Sequence, residues 1–175
     1  MRSLLVGVAV ATCLISCMTP SSAGQPRSDS QLAADYRSQE FKALDTALQG
    51  YIEYLQTLGH RGRPPIAAGD EAIVLSRFGL PMGYQPQLSN GLAVVLDGSP
   101  GSRGPLHAFV VSDNPDLRFS PYSFHMSLID IDFHEARVAL NYSTSVRAST
   151  AHGTVCRLVW VENGWSVATW GGWAC

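Results

Sequence analysis

Residues 154–170 read TVCRLVWVENGWSVATW, two alternating apolar runs on either side of Glu162-Asn163-Gly164. Asn-Gly is a strong hairpin signal because both residues tolerate the positive φ that a type I′ turn demands. The flanking runs alternate with period two and are rich in Val, Thr and Trp, which suit a pleated, half-buried surface. Centring the turn on Asn163-Gly164 places Trp160 opposite Val167, Leu158 opposite Thr169 and Cys156 opposite Gly171. Leu158, Trp160, Trp165 and Val167 then share a core face, and Arg157 stands across from Trp170 as a cation–π pair.

Working outward, LHAFVVS (106–112), SFHMSLIDID (123–132) and ARVALNYSTSV (136–146) are also strand-like. In the last, Val138, Leu140, Tyr142, Thr144 and Val146 face one way and polar or small residues the other, the pattern of an antiparallel sheet with one covered face. LAVVL (92–96) adds a further strand. Upstream, Leu32, Tyr36, Phe41, Leu44, Leu48, Tyr51, Ile52, Leu55 and Leu58 recur at helical spacing. Ser30 is placed to cap this helix, Gly59 to end it and Gly50 to bend or divide it. Asp70 caps a short second helix over EAIVLSRF (71–78), which Gly79 and Pro81 end. The Gly- and Pro-rich stretch 79–105 is a long irregular excursion and the first place to look for a binding surface. The fold class expected is α+β: a long N-terminal helix and a short helix on an antiparallel, strongly curved sheet of about five to six strands.

Composition sets the limits. The chain has 175 residues, 46% hydrophobic, with a net charge of −2, enough for one packed domain plus a targeting segment. Eleven of the 12 basic residues are arginines, dispersed along the chain, so the basic cluster of a nucleic-acid binder is missing. The start, MRSLLVGVAVATCLISC, is a signal peptide: Arg2, then an apolar run from Leu4 to Ser16 that is too short to span a bilayer. Leu14-Ile15-Ser16-Cys17 resembles the bacterial lipobox, which implies cleavage before Cys17 and acylation of its thiol. Met18 after the cysteine implies, by the same resemblance, the periplasmic face of the outer membrane. Cleavage after Ser21-Ser22-Ala23 is the alternative, giving a soluble periplasmic or secreted protein. The division expected is residues 1–16 signal peptide, 17–30 flexible tether and 31–175 a single domain, with Cys17 joining it to the lipid bilayer.

Cys156 and Cys175 remain as an even pair in an oxidising compartment. In the register above, Cys175 lies roughly 13 Å along the strand from the partner of Cys156, beyond the reach of about 7 Å that a disulfide allows. Gly171-Gly172 permits the chain to double back, so a Cys156–Cys175 staple is expected. Trp170 and Trp173 are candidates for a ligand-binding platform.

The helix followed by a strand meander, and in particular IDIDFHEARVALNYS and GTVCRLVWVENGWSV, resembles the NTF2-like cone fold. That resemblance implies a cavity between helix and sheet and leaves open whether it binds or catalyses, since the family contains both. The enzymatic alternative would draw on His125, Asp130 and Tyr142 as pocket residues. Asp130 and Asp132 on one strand face near His134 are a weak carboxylate pair beside a turn. No HExxH, P-loop, GxSxG or dinucleotide motif occurs, so no metal or cofactor is implied. The function expected is a non-enzymatic envelope binding module, of the inhibitor or immunity type or ligand-binding, partnered by another envelope protein or a small ligand. An NTF2-like enzyme and a structural accessory of an envelope complex are the alternatives.

Overall fold

The structure, a computed structural model, describes residues 28–58, 64–97, 115–144 and 152–174. Among these residues one helix, α1 (Asp29–Thr57), packs on a six-stranded sheet: β1 (Ala72–Ser76), β2 (Ala93–Asp97), β3 (Phe119–Ile131), β4 (Glu135–Thr144), β5 (His152–Val161) and β6 (Gly164–Ala174). The strand order is β2-β1-β3-β4-β5-β6. Cys13, Cys17, Cys175 and the strand expected over 106–112 lie outside the described residues.

The cap is two residues before Ser30, and the helix starts at Asp29. Ser28 is the cap: its hydroxyl accepts the Gln31 N–H at 3.3 Å and its own N–H donates to Gln31 Oε1 at 3.0 Å, a reciprocal capping box. Gly50 does not divide α1, which runs through it. Its role is close approach, since a Cβ there would lie 2.9 Å from Val167 Cγ2 and 3.3 Å from Trp170. Ala43, Leu44, Ala47, Leu48, Tyr51, Ile52 and Leu55 form the stripe that faces the sheet, all essentially buried. A Leu or Ile fully buried in this way contributes about 1.5–3 kcal/mol.

The short helix expected over 71–78 is instead strand β1. Its run AIVLS is buried at all five positions, and a short apolar run of this kind reads equally well as a helix turn or a strand buried on both faces. Ile73 and Val74 are β-branched, and burial on both faces favours the strand. Asp70 caps no helix; its carboxylate accepts the Ala67 N–H at 2.8 Å. The sheet is accordingly mixed rather than antiparallel. β1 runs parallel to both β2 and β3, while β3 through β6 form an antiparallel meander.

Parallel neighbours need a crossover, and residues 77–92 supply it along the helix. Tyr84 is buried, its hydroxyl donating to Asp45 Oδ1 at 2.8 Å. The N–H groups of Gln87 and Ser89 donate to Asp45 Oδ1 and Gln49 Oε1 at 3.0 and 3.2 Å. The first part of the expected 79–105 excursion is therefore pinned to α1; residues 98–105 lie outside the described residues.

The final hairpin forms in a different register. Val161 pairs with Gly164, Trp160 with Trp165 and Leu158 with Val167, so the two turn residues are Glu162 and Asn163. Glu162 carries the positive φ, 55°. Ala168 is then an extra residue in β6, after which Arg157 faces Thr169 and Cys156 faces Trp170. This bulge restores Trp170 to the helix face and removes it from Arg157, which pairs instead with Glu135 at 2.7 Å.

Candidate functional site

The last turns of α1 and the ends of β4, β5 and β6 line a half-open cavity of about 370 Å³. This is within the size range of small-molecule sites. Tyr51, Tyr54, Leu55 and Leu58 recur at spacings of three and four, so they descend one side of the helix into it. Tyr142 enters from β4, Gly153 and Thr154 from β5, and Trp170 and Gly172 from β6. Alternation along β6 places Trp170 and Gly172 on the same face. A Cβ at Gly172 would meet no atom within 4 Å, so the missing side chain leaves open space beside the indole.

Aromatic rings dominate the walls. Trp170 stacks on Tyr54 with ring centres 5.5 Å apart and planes 17° from parallel, and lies tilted against Tyr51 at 6.0 Å. Tyr142 is braced from behind by Tyr122, edge-on at 5.3 Å, and by Phe124 at 6.2 Å. Each such pair is worth about 0.5–1.5 kcal/mol beyond its buried area. Burial, reinforced by neighbouring tyrosines, pushes the Tyr51 and Tyr142 phenols above their ordinary range. At neutral pH the cavity therefore presents uncharged hydroxyls. Thr154 Oγ1 donates to the Gly171 carbonyl at 2.9 Å, which fixes the floor.

Of the residues singled out in the sequence, Tyr142 and Trp170 meet in this cavity. The side chain of Trp173 is outside the described residues. His125 is on the opposite face of the sheet: Phe124 pairs with Tyr142, and His125 pairs with Asn141. Burial lowers the imidazole pKa, and Asp97 partly opposes that shift. Asp97 lies two strands away, roughly 10 Å by strand spacing. Between them runs β1, whose Ser76 hydroxyl accepts the Phe78 N–H at 3.2 Å. Asp130 is also away from the cavity, in a forked ion pair with Arg137 Nε at 2.9 and 3.0 Å and with its Nη2. That pairing holds its carboxyl below the usual range. Nor do Asp130 and Asp132 share a strand face: Asp132 is in the turn after β3, accepting the His134 and Glu135 N–H groups, each at 2.7 Å. Among the described residues no cluster of three His, Cys, Asp or Glu side chains is placed to hold a metal.

Cys156 pairs with Trp170 in the ladder and is a buried free thiol, pushed up to about 12 by burial. The reversal expected at Gly171-Gly172 does not occur, because both stay in the ladder opposite Val155 and Thr154. Ala174 pairs with His152, four ladder positions, or roughly 13 Å, from Cys156. The expected partner, Cys175, falls outside the described residues.

Sequence reasoning placed Tyr51 in a core stripe and passed over Tyr54. The available signal was the Tyr51–Tyr54 pair at the end of an apolar stripe, where an amphipathic ring can turn its hydroxyl to an opening. Compared with protein-family models, with curated proteins and with solved structures, the chain matches none, so the cavity's own geometry carries the functional reading.

Proposed function

We propose that the chain is an exported, lipid-anchored binding module that takes a compact, largely apolar ligand in the cavity walled by Tyr51, Tyr54, Tyr142 and Trp170. The observation that carries this is the cavity itself: four aromatic rings around about 370 Å³, with open space over Gly172. Flat rings supply contact area, and the neutral phenols and Thr154 supply a few polar atoms to orient a ligand. A binding role is favoured over catalysis because His125 and Asp130, the acid–base candidates, are both outside the cavity. A small ligand is favoured over a protein gripped by a projecting loop because residues 84–89 are bonded to α1.

Export and acylation rest on Arg2, the Leu4–Ser16 run and Cys17. Among the described residues no helix is long and apolar enough to cross a membrane, so the proposed attachment is through the Cys17 lipid.

The test is titration of the purified protein with N-phenyl-1-naphthylamine, a neutral aromatic dye. Saturable binding of one dye per chain, weakened about tenfold by Tyr54→Ala, supports the pocket; that loss corresponds to about 1.4 kcal/mol. Dye binding that Tyr54→Ala leaves unchanged refutes it. For the anchor, Cys17→Ser is expected to remove the acyl mass and release the protein from the membrane fraction.

A further inference from the structure

Among the described residues Tyr54 and Leu58 are exposed at the cavity and Leu32 and Tyr36 on the first turns of α1, but the two most exposed large side chains are at the pole opposite the cavity. Phe133, 90% exposed, is in the β3–β4 turn, and Met82, 85% exposed, is in the crossover after β1. Phe78, Ile129 and Val161 are half-exposed. Trp160 N–H donates to the His134 carbonyl at 2.9 Å, tying the β5 end to the β3–β4 turn. The turn at Gly79 packs on Ser127, where its Cβ would lie 3.1 Å from the serine Cβ. The helix points its start the same way, since Leu55 and Leu58 line the cavity at the far end.

We propose that this pole is the face on which the domain rests on a lipid surface, with Phe133, Met82 and Phe78 entering the headgroup–acyl boundary. The proposal shares the Cys17 anchor with the function proposed above and goes beyond its pocket. Two arguments select a bilayer as the occupant. First, the most exposed groups are a Phe and a Met on separate turns rather than a flat, continuous patch; isolated apolar tips suit an interface that deforms around them. Second, the chain outside the described domain limits how it stands. From Cys17 to Ser28 is eleven residues, at most about 38 Å extended. From Ser28 to Leu58 the helix spans about 45 Å. An acylated Cys17 therefore reaches far enough for the turn pole to touch the membrane and, with the helix upright, is too short for the domain to stand cavity-down.

The test uses the mature full chain isolated from exporting cells and reconstituted into phosphatidylcholine vesicles with and without brominated acyl chains. Phe133→Trp and, at the cavity pole, Thr57→Trp each add one indole to be read against the parent protein. Emission from the indole added at position 133 is expected to fall by roughly half or more in brominated vesicles, as burial several Å into the interface requires. Emission from the indole added at position 57 is expected to stay unchanged. No quenching at position 133, or equal quenching at both positions, overturns the proposal. Intact mass on the same samples reports the anchor separately: a chain without acyl mass refutes the anchor, whereas quenching at position 133 decides the pole.

Discussion

Gly172→Val makes opposite demands on stability and binding. A new Cβ at this position meets no atom within 4 Å, and Gly172 is not among the glycines with positive φ, so a β-branched residue is conformationally acceptable. Replacing glycine inside a strand recovers about 0.5–1 kcal/mol of backbone entropy, with further gain from β propensity. For a chain of this size that raises Tm by about 2–4 °C per kcal/mol. The valine methyls, however, occupy the space beside Trp170 and Tyr142 that the ligand needs. Dye affinity is therefore expected to fall tenfold or more, at least about 1.4 kcal/mol. Thermal unfolding followed by far-UV circular dichroism gives the first quantity and dye titration the second. A lower Tm would show that the space over Gly172 is already filled. Unchanged dye binding in a stabilised variant would show that the ligand sits elsewhere.

Other outcomes follow from the same geometry. Gly50→Ala places a methyl against Val167 Cγ2 and the Trp170 ring and is expected to destabilise by about 1–3 kcal/mol, read as a lower urea midpoint; an unchanged midpoint would mean the helix is not seated on β6. Glu162→Gly relieves the left-handed backbone at φ 55° and is expected to stabilise by about 1 kcal/mol; a loss of stability would refute the hairpin register. Cys156 has a folded-state pKa of about 12 against 9.0 for a free thiol. Its neutral form is the one that folding accommodates, so its contribution is complete below pH 9.0 and is lost as pH rises towards about 12. The urea midpoint should fall across that window and fall less in Cys156→Ala; equal slopes would show that the thiol is not buried.

The meander and the long helix were legible because their patterns are local. Val138, Leu140 and Tyr142 alternate with Arg137, Ala139 and Asn141 without interruption, and the helical stripe from Ala43 to Leu55 keeps its period through Gly50. What escaped was set by partners distant in sequence. Ile73 to Leu75 has no period of its own, and only β2 and β3 on either side make it a strand. The hairpin register was displaced because Glu162 takes the left-handed conformation that Asn-Gly pairs usually share, and the Ala168 bulge then restores Trp170 to the helix face. His125 and Tyr142 are both pocket candidates in the sequence, and a one-residue difference in register decides whether they share a face. Phe124, not His125, stands opposite Tyr142, and that separates the candidate acid–base group from the cavity.

The parallel placement of β1 also has a kinetic meaning. β3 and β4 close through a short turn, as do β5 and β6, whereas Val74 meets Ser123 across 49 positions of sequence. Loop closure of that kind must be met before the contact rewards it. The C-terminal hairpins are therefore the natural nucleus, and β1, β2 and the crossover that locks onto Asp45 dock afterwards. If the chain is exported as proposed, crossing N-terminus first would deliver the late-docking strands ahead of the template they need. The consequence is an interval in which Ile73, Val74 and Leu75 are exposed, and mutations in β1 should accelerate unfolding more than they slow folding.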